Sequence, residues 1–104
     1  MRELFSLDAK DYREGGKVFR RDSARAIIIK DGKVLLVHSK KYDYYKFPGG
    51  GIGEGESHAE ALIREVREEA GLEVIPASIR EYGYVKRTQK GSAEDILVQE
   101  NFYY

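Results

Sequence analysis

Three glutamates raise the first chemical question. Glu65, Glu68 and Glu69 stand at i, i+3 and i+4 inside the stretch Gly50–Leu72, and a helix brings such positions to one side. Like charges so placed destabilise a bare helix by roughly 0.2–0.5 kcal/mol per pair. Carboxylate oxygens gathered this way suit a hard divalent cation. Arg64 stands at i, i+4 to Glu68 and can hold a carboxylate in place through a charge-assisted hydrogen bond. Glycine occupies positions 49, 50, 51, 53 and 55, and a loop of this kind can bring its backbone close to a ligand or an ion. It is not a P-loop, because no Gly-Lys-Ser/Thr follows.

The element that must position these carboxylates has a legible start and stop. Ser57-x-x-Glu60 is a capping box, and Gly71 stands where a left-handed cap belongs. The spacing predicts a helix over His58–Ala70. Ala59, Leu62, Ile63, Val66 and Ala70 form its apolar stripe. Glu65 and Glu69 flank that stripe and Glu68 lies further round, so the carboxylates border the core.

Upstream, residues 1–12 alternate around Leu4, Phe5 and Leu7, as a short strand or a loose arm would. Arg13-Glu14-Gly15-Gly16 is a turn signal. Lys17, Arg20, Arg21 and Arg25 make the next segment basic, either a solvated strand edge or a contact to substrate phosphates. Ile27-Ile28-Ile29 predicts a buried strand within Ala24–Lys30. Asp31-Gly32 joins it to the apolar run Lys33–His38 as a hairpin. His38 reads as an ordinary strand-end histidine. Ser39–Lys46 reads as a polar loop whose tyrosines (Tyr42, Tyr44, Tyr45) either stack on a nucleobase or cover the core edge. Pro48 then biases Phe47 toward extended backbone. Downstream, the sequence predicts a short strand at Leu72–Ile75, another at Ser78–Lys86, a polar loop at Arg87–Asp95 and a last strand at Ile96–Tyr104.

The 104 residues suffice for one small domain, 1–104, and not for two. Eighteen basic residues balance eighteen acidic ones, so the net charge gives no general attraction to nucleic acid or membranes and leaves only local patches. The absence of cysteine excludes disulfides and thiolate metal sites. No stretch has the length of a signal-peptide core or a membrane span. These features lead to the expectation of a cytoplasmic protein with no nucleic-acid or membrane partner.

Gly50, five residues, Glu56, seven residues, then Arg64-Glu65-Val66-x-Glu68-Glu69-x-Gly71-Leu72 resembles the complete box of the Nudix hydrolase family. Phe47-Pro48-Gly49-Gly50 and the upstream hairpin resemble it too. The resemblance implies an α+β fold, an α/β/α sandwich around a mixed β-sheet. It implies hydrolysis of a nucleoside diphosphate linked to another moiety, with magnesium or manganese. The implied metal ligands are Glu65, Glu68, Glu69 and the carbonyl of Gly49. Glu68 or Glu69 would accept the proton of the attacking water, Arg64 would orient the cluster, and Glu56 would fix the loop–helix junction. Arg20, Tyr42, Tyr44 and Arg87 are candidate substrate contacts.

Family members usually continue past the last strand found here, with a further strand and a second helix. The sequence therefore leads to the expectation of a shortened domain, with Glu94 and Glu100 as late carboxylates that could stand in for a missing acid. Sheet surface left bare would favour a homodimer. The alternative function is a Nudix-like module that binds a nucleotide or metabolite without turnover, or an inactive shortened enzyme. A nucleic-acid-binding protein has no basic excess or motif to support it.

Overall fold

A computed structural model describes residues 1–12, 15–91 and 96–104. Arg13 and Glu14 of the expected turn lie outside the described residues, as does Glu94. In chain order the strands are β1 (Glu3–Asp8), β2 (Val18–Arg20), β3 (Ser23–Arg25), β4 (Ile29–Lys30), β5 (Lys33–Val34), β6 (Val37–Ser39), β7 (Tyr44–Lys46) and β8 (Gly49–Gly51). Helix α1 (His58–Ala70) and a single 3-10 turn at Pro76–Ser78 follow, then β9 (Gly83–Lys90) and β10 (Ile96–Tyr103).

The main sheet runs β1-β9-β10-β3-β8, with β2 also paired to β10. β9 and β10 are antiparallel, whereas β1 joins β9 in parallel and β2 and β3 join β10 in parallel. β8 closes the edge antiparallel to β3. This mixed sheet with one α-helix among the described residues is the expected α+β class, with one of the two implied helical layers present.

Both ends of α1 lie where the sequence placed them. The Ser57 hydroxyl accepts the Glu60 N–H at 3.1 Å, and the Glu60 carboxylate accepts the Ser57 N–H at 3.2 Å. Gly71 has φ 68° and donates its N–H to the Arg67 carbonyl. The helix packs over β3 and β8, and the core is Ala24, Ala26, Ala61, Leu62 and Val66. The buried stripe is rotated from the expected one: Ala61 is buried and Ala59 exposed. The facing sheet surface is alanine and glycine, so the backbones approach closely and the smallest side chain meets them.

Several strands differ from expectation. The isoleucine run does not form one buried strand. Ile27 and Ile28 are half-buried, Ile29 is 66 % exposed, and the ladder breaks between β3 and β4. There the N–H groups of Ala26 and Ile27 donate to the carbonyls of Pro48 and Tyr104 instead. The Asp31-Gly32 hairpin is present, with φ 52° and 74° at the turn. The tyrosine-rich loop is a second hairpin, in which His38 faces Tyr45 and Ser39 faces Tyr44. The glycine loop begins as a strand, β8. Leu72–Ile75 is not a strand, because among the described residues no neighbour pairs with it, and Leu72 and Ile75 stay exposed. β9 starts later than expected and continues through Arg87–Lys90, since β1 and β10 pair with it on both sides.

Cross-strand partners share a face. Tyr84 and Phe102 face α1, where Phe102 packs on His58 at 4.3 Å between ring centroids. Val85 and Tyr103 therefore lie on the other face. With Leu4, Phe5, Ile29 and Val34 they line an open groove of about 640 Å³. Among the described residues no helix is long and apolar enough to cross a membrane.

Candidate active site

The turn between β8 and α1 carries Glu56, whose Oε1 accepts the Gly53 N–H at 2.8 Å. Arg64, one turn and a half into the helix, grips the same carboxylate with both arms: Nε to Oε2 at 2.7 Å and NH2 to Oε1 at 2.8 Å. Its NH1 donates to Glu65 at 2.8 Å and its NH2 to the Gly51 carbonyl at 3.1 Å. One planar guanidinium thus ties strand, turn and helix together. The expected partner Glu68 is its loosest contact, at 3.5 Å. Hydrogen bonds from Arg64, then from the Gly53 N–H, push the Glu56 carboxyl down to about 2. The Arg64 guanidinium is raised in turn, first by Glu56 and then by Glu65.

Glu65 lies against β8 with little exposure, and a Cβ on Gly50 would stand 2.6 Å from its carboxyl carbon. Glycine at position 50 is therefore what leaves the carboxylate its place. Glu69 accepts the Gly49 N–H at 3.3 Å through one oxygen and faces the Lys46 ammonium at 3.3 Å through the other. Gly49 has φ +143°, and a Cβ there would collide with the Ala24 carbonyl. The Gly49 carbonyl accepts from Arg25 at 2.8 Å. Glu68 has a side chain 59 % exposed. Bordering the core thus describes Glu65 and Glu69 but not Glu68.

Arg64, Glu56 and Glu65 are joined by hydrogen bonds beside the glycine strand, and Glu69 reaches the first residue of that strand, Gly49. The sequence did not single out Lys46 as a partner of this cluster, and Arg25 stood out only as part of a basic segment. The register of Arg25 against Gly49 is a property of the sheet, with no local sequence signal. Arg20 is tied to Glu100 at 3.1 Å and to Asp22 at 3.4 Å, which also engages the late carboxylate Glu100. Arg87 follows Lys86 on β9 and so lies on the face away from α1. Tyr42 and Tyr44 are exposed at the second hairpin, their rings 6.2 Å apart. His38 pairs with Asp43 at 2.9 Å.

Among the described residues no three His, Asp or Glu side chains converge closely enough to hold an ion. Glu65 and Glu69 each face a different cation instead. The donor chemistry itself, three carboxylates and a backbone carbonyl, fits a hard divalent ion of the magnesium type. The cradle at Gly50, which a Cβ would fill, keeps one of those carboxylates beside the strand.

A model of the NUDIX domain matches residues 19–104. The chain belongs to the Nudix family. In this Nudix domain the box runs from β8 through α1 to Gly71-Leu72. The chain is 34 % identical over 80 residues to an RNA pyrophosphohydrolase of Hydrogenovibrio crunogenus, an alignment covering 77 % of this chain and 43 % of that protein. It is 43 % identical over 61 residues to the CTP pyrophosphohydrolase of Escherichia coli, covering 55 % of this chain and 43 % of that protein. The chain thus spans less than half the length of either relative. The crystal structure of a MutT NUDIX hydrolase from Burkholderia pseudomallei shares the fold, with a TM-score of 0.60 at 23 % identity over 82 % of this chain and 66 % of that one.

Proposed function

We propose that this Nudix domain hydrolyses the pyrophosphate linkage of a nucleoside diphosphate derivative with the help of magnesium or manganese. The observation that carries the proposal is the Arg64 fork, which fixes Glu56 and Glu65 beside a glycine strand that admits no side chain. The names of the relatives, RNA and CTP pyrophosphohydrolase, agree with it. When bound, the divalent ion neutralises diphosphate oxygens and acidifies the attacking water. Glu65, Glu68, Glu69 and the Gly49 carbonyl would hold it. Arg64 keeps Glu65 oriented, and the Gly49 N–H does the same for Glu69. Glu68, exposed and loosely held by protein, would offer a second oxygen to take a proton from water. Tyr42 and Tyr44 offer exposed rings for a base, and the proposal includes a homodimer.

A relative named for RNA sits against the expectation that nucleic acid plays no part, so RNA with a 5′-terminal pyrophosphate joins the candidate substrates. The test offers nucleoside triphosphates, ADP-ribose, dinucleoside polyphosphates, sugar nucleotides and such an RNA with magnesium or manganese, to this chain and to Glu68→Gln. Turnover of at least one is expected, falling roughly 10²–10⁴-fold in the variant. The second reading, a module that binds without turnover, draws on the lack of three converging carboxylates among the described residues. Tight nucleotide binding with no hydrolysis of any substrate would establish it and overturn the first.

A further inference from the structure

Lys46 supplies the lysine ammonium that meets the glutamate cluster. Its Nζ is 3.3 Å from Glu69, and the other Glu69 oxygen takes the Gly49 N–H at the same distance. These contacts are long beside the 2.7 and 2.8 Å fork that holds Glu56. A carboxylate held so loosely changes partners more easily than one locked in a bidentate pair. The ammonium is also a compact charge on a flexible stem, unlike the rigid guanidinium of Arg64. Lys46 is 32 % exposed and Glu69 21 %, so the pair is partly shielded while the lysine keeps a path to solvent.

Electrostatics points the same way. Glu56, Glu65, Glu68 and Glu69 bring four negative charges, against two positive ones from Arg64 and Lys46. A divalent ion beside Glu69 would compete with Lys46 for the same carboxylate. An incoming diphosphate then offers its own negative charge to the displaced lysine. The lysine sits three residues before Gly49, whose backbone the same glutamate holds.

We infer that Lys46 is a built-in stand-in for the divalent cation. It neutralises Glu69 in the metal-free protein, leaves Glu69 when an ion binds, and then turns to the phosphate oxygens of the substrate. This rests on the metal-dependent reading above and deepens it by making Lys46 a positioning residue with two successive partners. Removing the lysine then acts with opposite signs on metal and on nucleotide.

The test titrates the chain with Mn²⁺ in the absence of nucleotide, reading free Mn²⁺ by its electron paramagnetic resonance signal, for the wild type and Lys46→Met. A second titration, with Mn²⁺ saturating, measures binding of a non-hydrolysable nucleoside diphosphate analogue. Lys46→Met is expected to bind Mn²⁺ roughly two- to fivefold more tightly, the worth of a partly exposed ion pair, and to bind the analogue more weakly. Lys46→Gln repeats the comparison should the methionine variant not fold. Mn²⁺ affinity unchanged or weakened in the folded variant overturns this inference alone. A wild type that binds no Mn²⁺ overturns the metal-dependent reading, and this inference with it.

Discussion

Arg64 and Glu56 stand eight residues apart, yet they decide how the glycine turn meets the helix. The bidentate contact holds Glu56 well below the usual glutamate range, near 2. A carboxylate depressed by folding stabilises the native state above its unfolded value, and that contribution is lost as pH falls through the folded one. The clasp should therefore be complete at neutral pH and fade between about 4.5 and about 2. Carboxyl carbon NMR of Glu56 should report a midpoint near 2, and the stability gap between wild type and Glu56→Gln should close over the same window. A midpoint in the ordinary glutamate range would mean that the fork does not persist in solution.

At the scale of the element, β8 and α1 make two adjacent glycines do different work. A Cβ on Gly49 meets the backbone of Ala24, and its φ of +143° disfavours any side chain. The three atoms nearest a Cβ on Gly50 all belong to the carboxyl end of the flexible Glu65 side chain. Gly49→Ala should therefore destabilise the fold by about 1–3 kcal/mol, as overpacking against an unyielding neighbour does. Gly50→Ala should melt close to the wild type while weakening Mn²⁺ binding, because Glu65 must move. Thermal melts and Mn²⁺ titrations of the two variants separate these outcomes. The helix was legible to the residue at both ends, because capping is local chemistry written in Ser57, Glu60 and Gly71. The Asp31-Gly32 hairpin was legible for the same reason. The second hairpin was not: its turn has no glycine, and Asp43 takes the positive φ of 50° itself. β8 was hidden because glycine has no strand preference, and only pairing with β3 makes it one. In the site, the box named Arg64 and the glutamates, but Lys46 and Arg25 reach it through tertiary contacts that no spacing announces.

The whole molecule measures 46 × 30 × 24 Å with a radius of gyration of 14.9 Å, against about 13 Å for a compact domain of about 100 residues. Its principal core is five small or medium residues, Ala61, Leu62 and Val66 of the helix over Ala24 and Ala26. Across the sheet, Phe5, Ile29 and Val34 remain 53, 66 and 48 % exposed along the open groove. Apolar surface of this kind favours association, so the chain should be a dimer or larger. Light scattering at tens of micromolar checks this, and a clean monomer would count against it. The pairing pattern of the sheet also bears on how the chain first acquires its shape. β1 waits for β9 (Glu3 opposite Tyr84), and β3 waits for β10 (Ser23 opposite Asn101). Apart from β8, the other strands of the main sheet gather on β9 and β10, which come after them in sequence, so every pairing except the local β9–β10 hairpin closes a long loop and rewards the chain late. On a ribosome the capped helix and the two hairpins can form as they emerge. The rest of the sheet cannot, and β1–β3 stay open to strangers until β9 and β10 arrive.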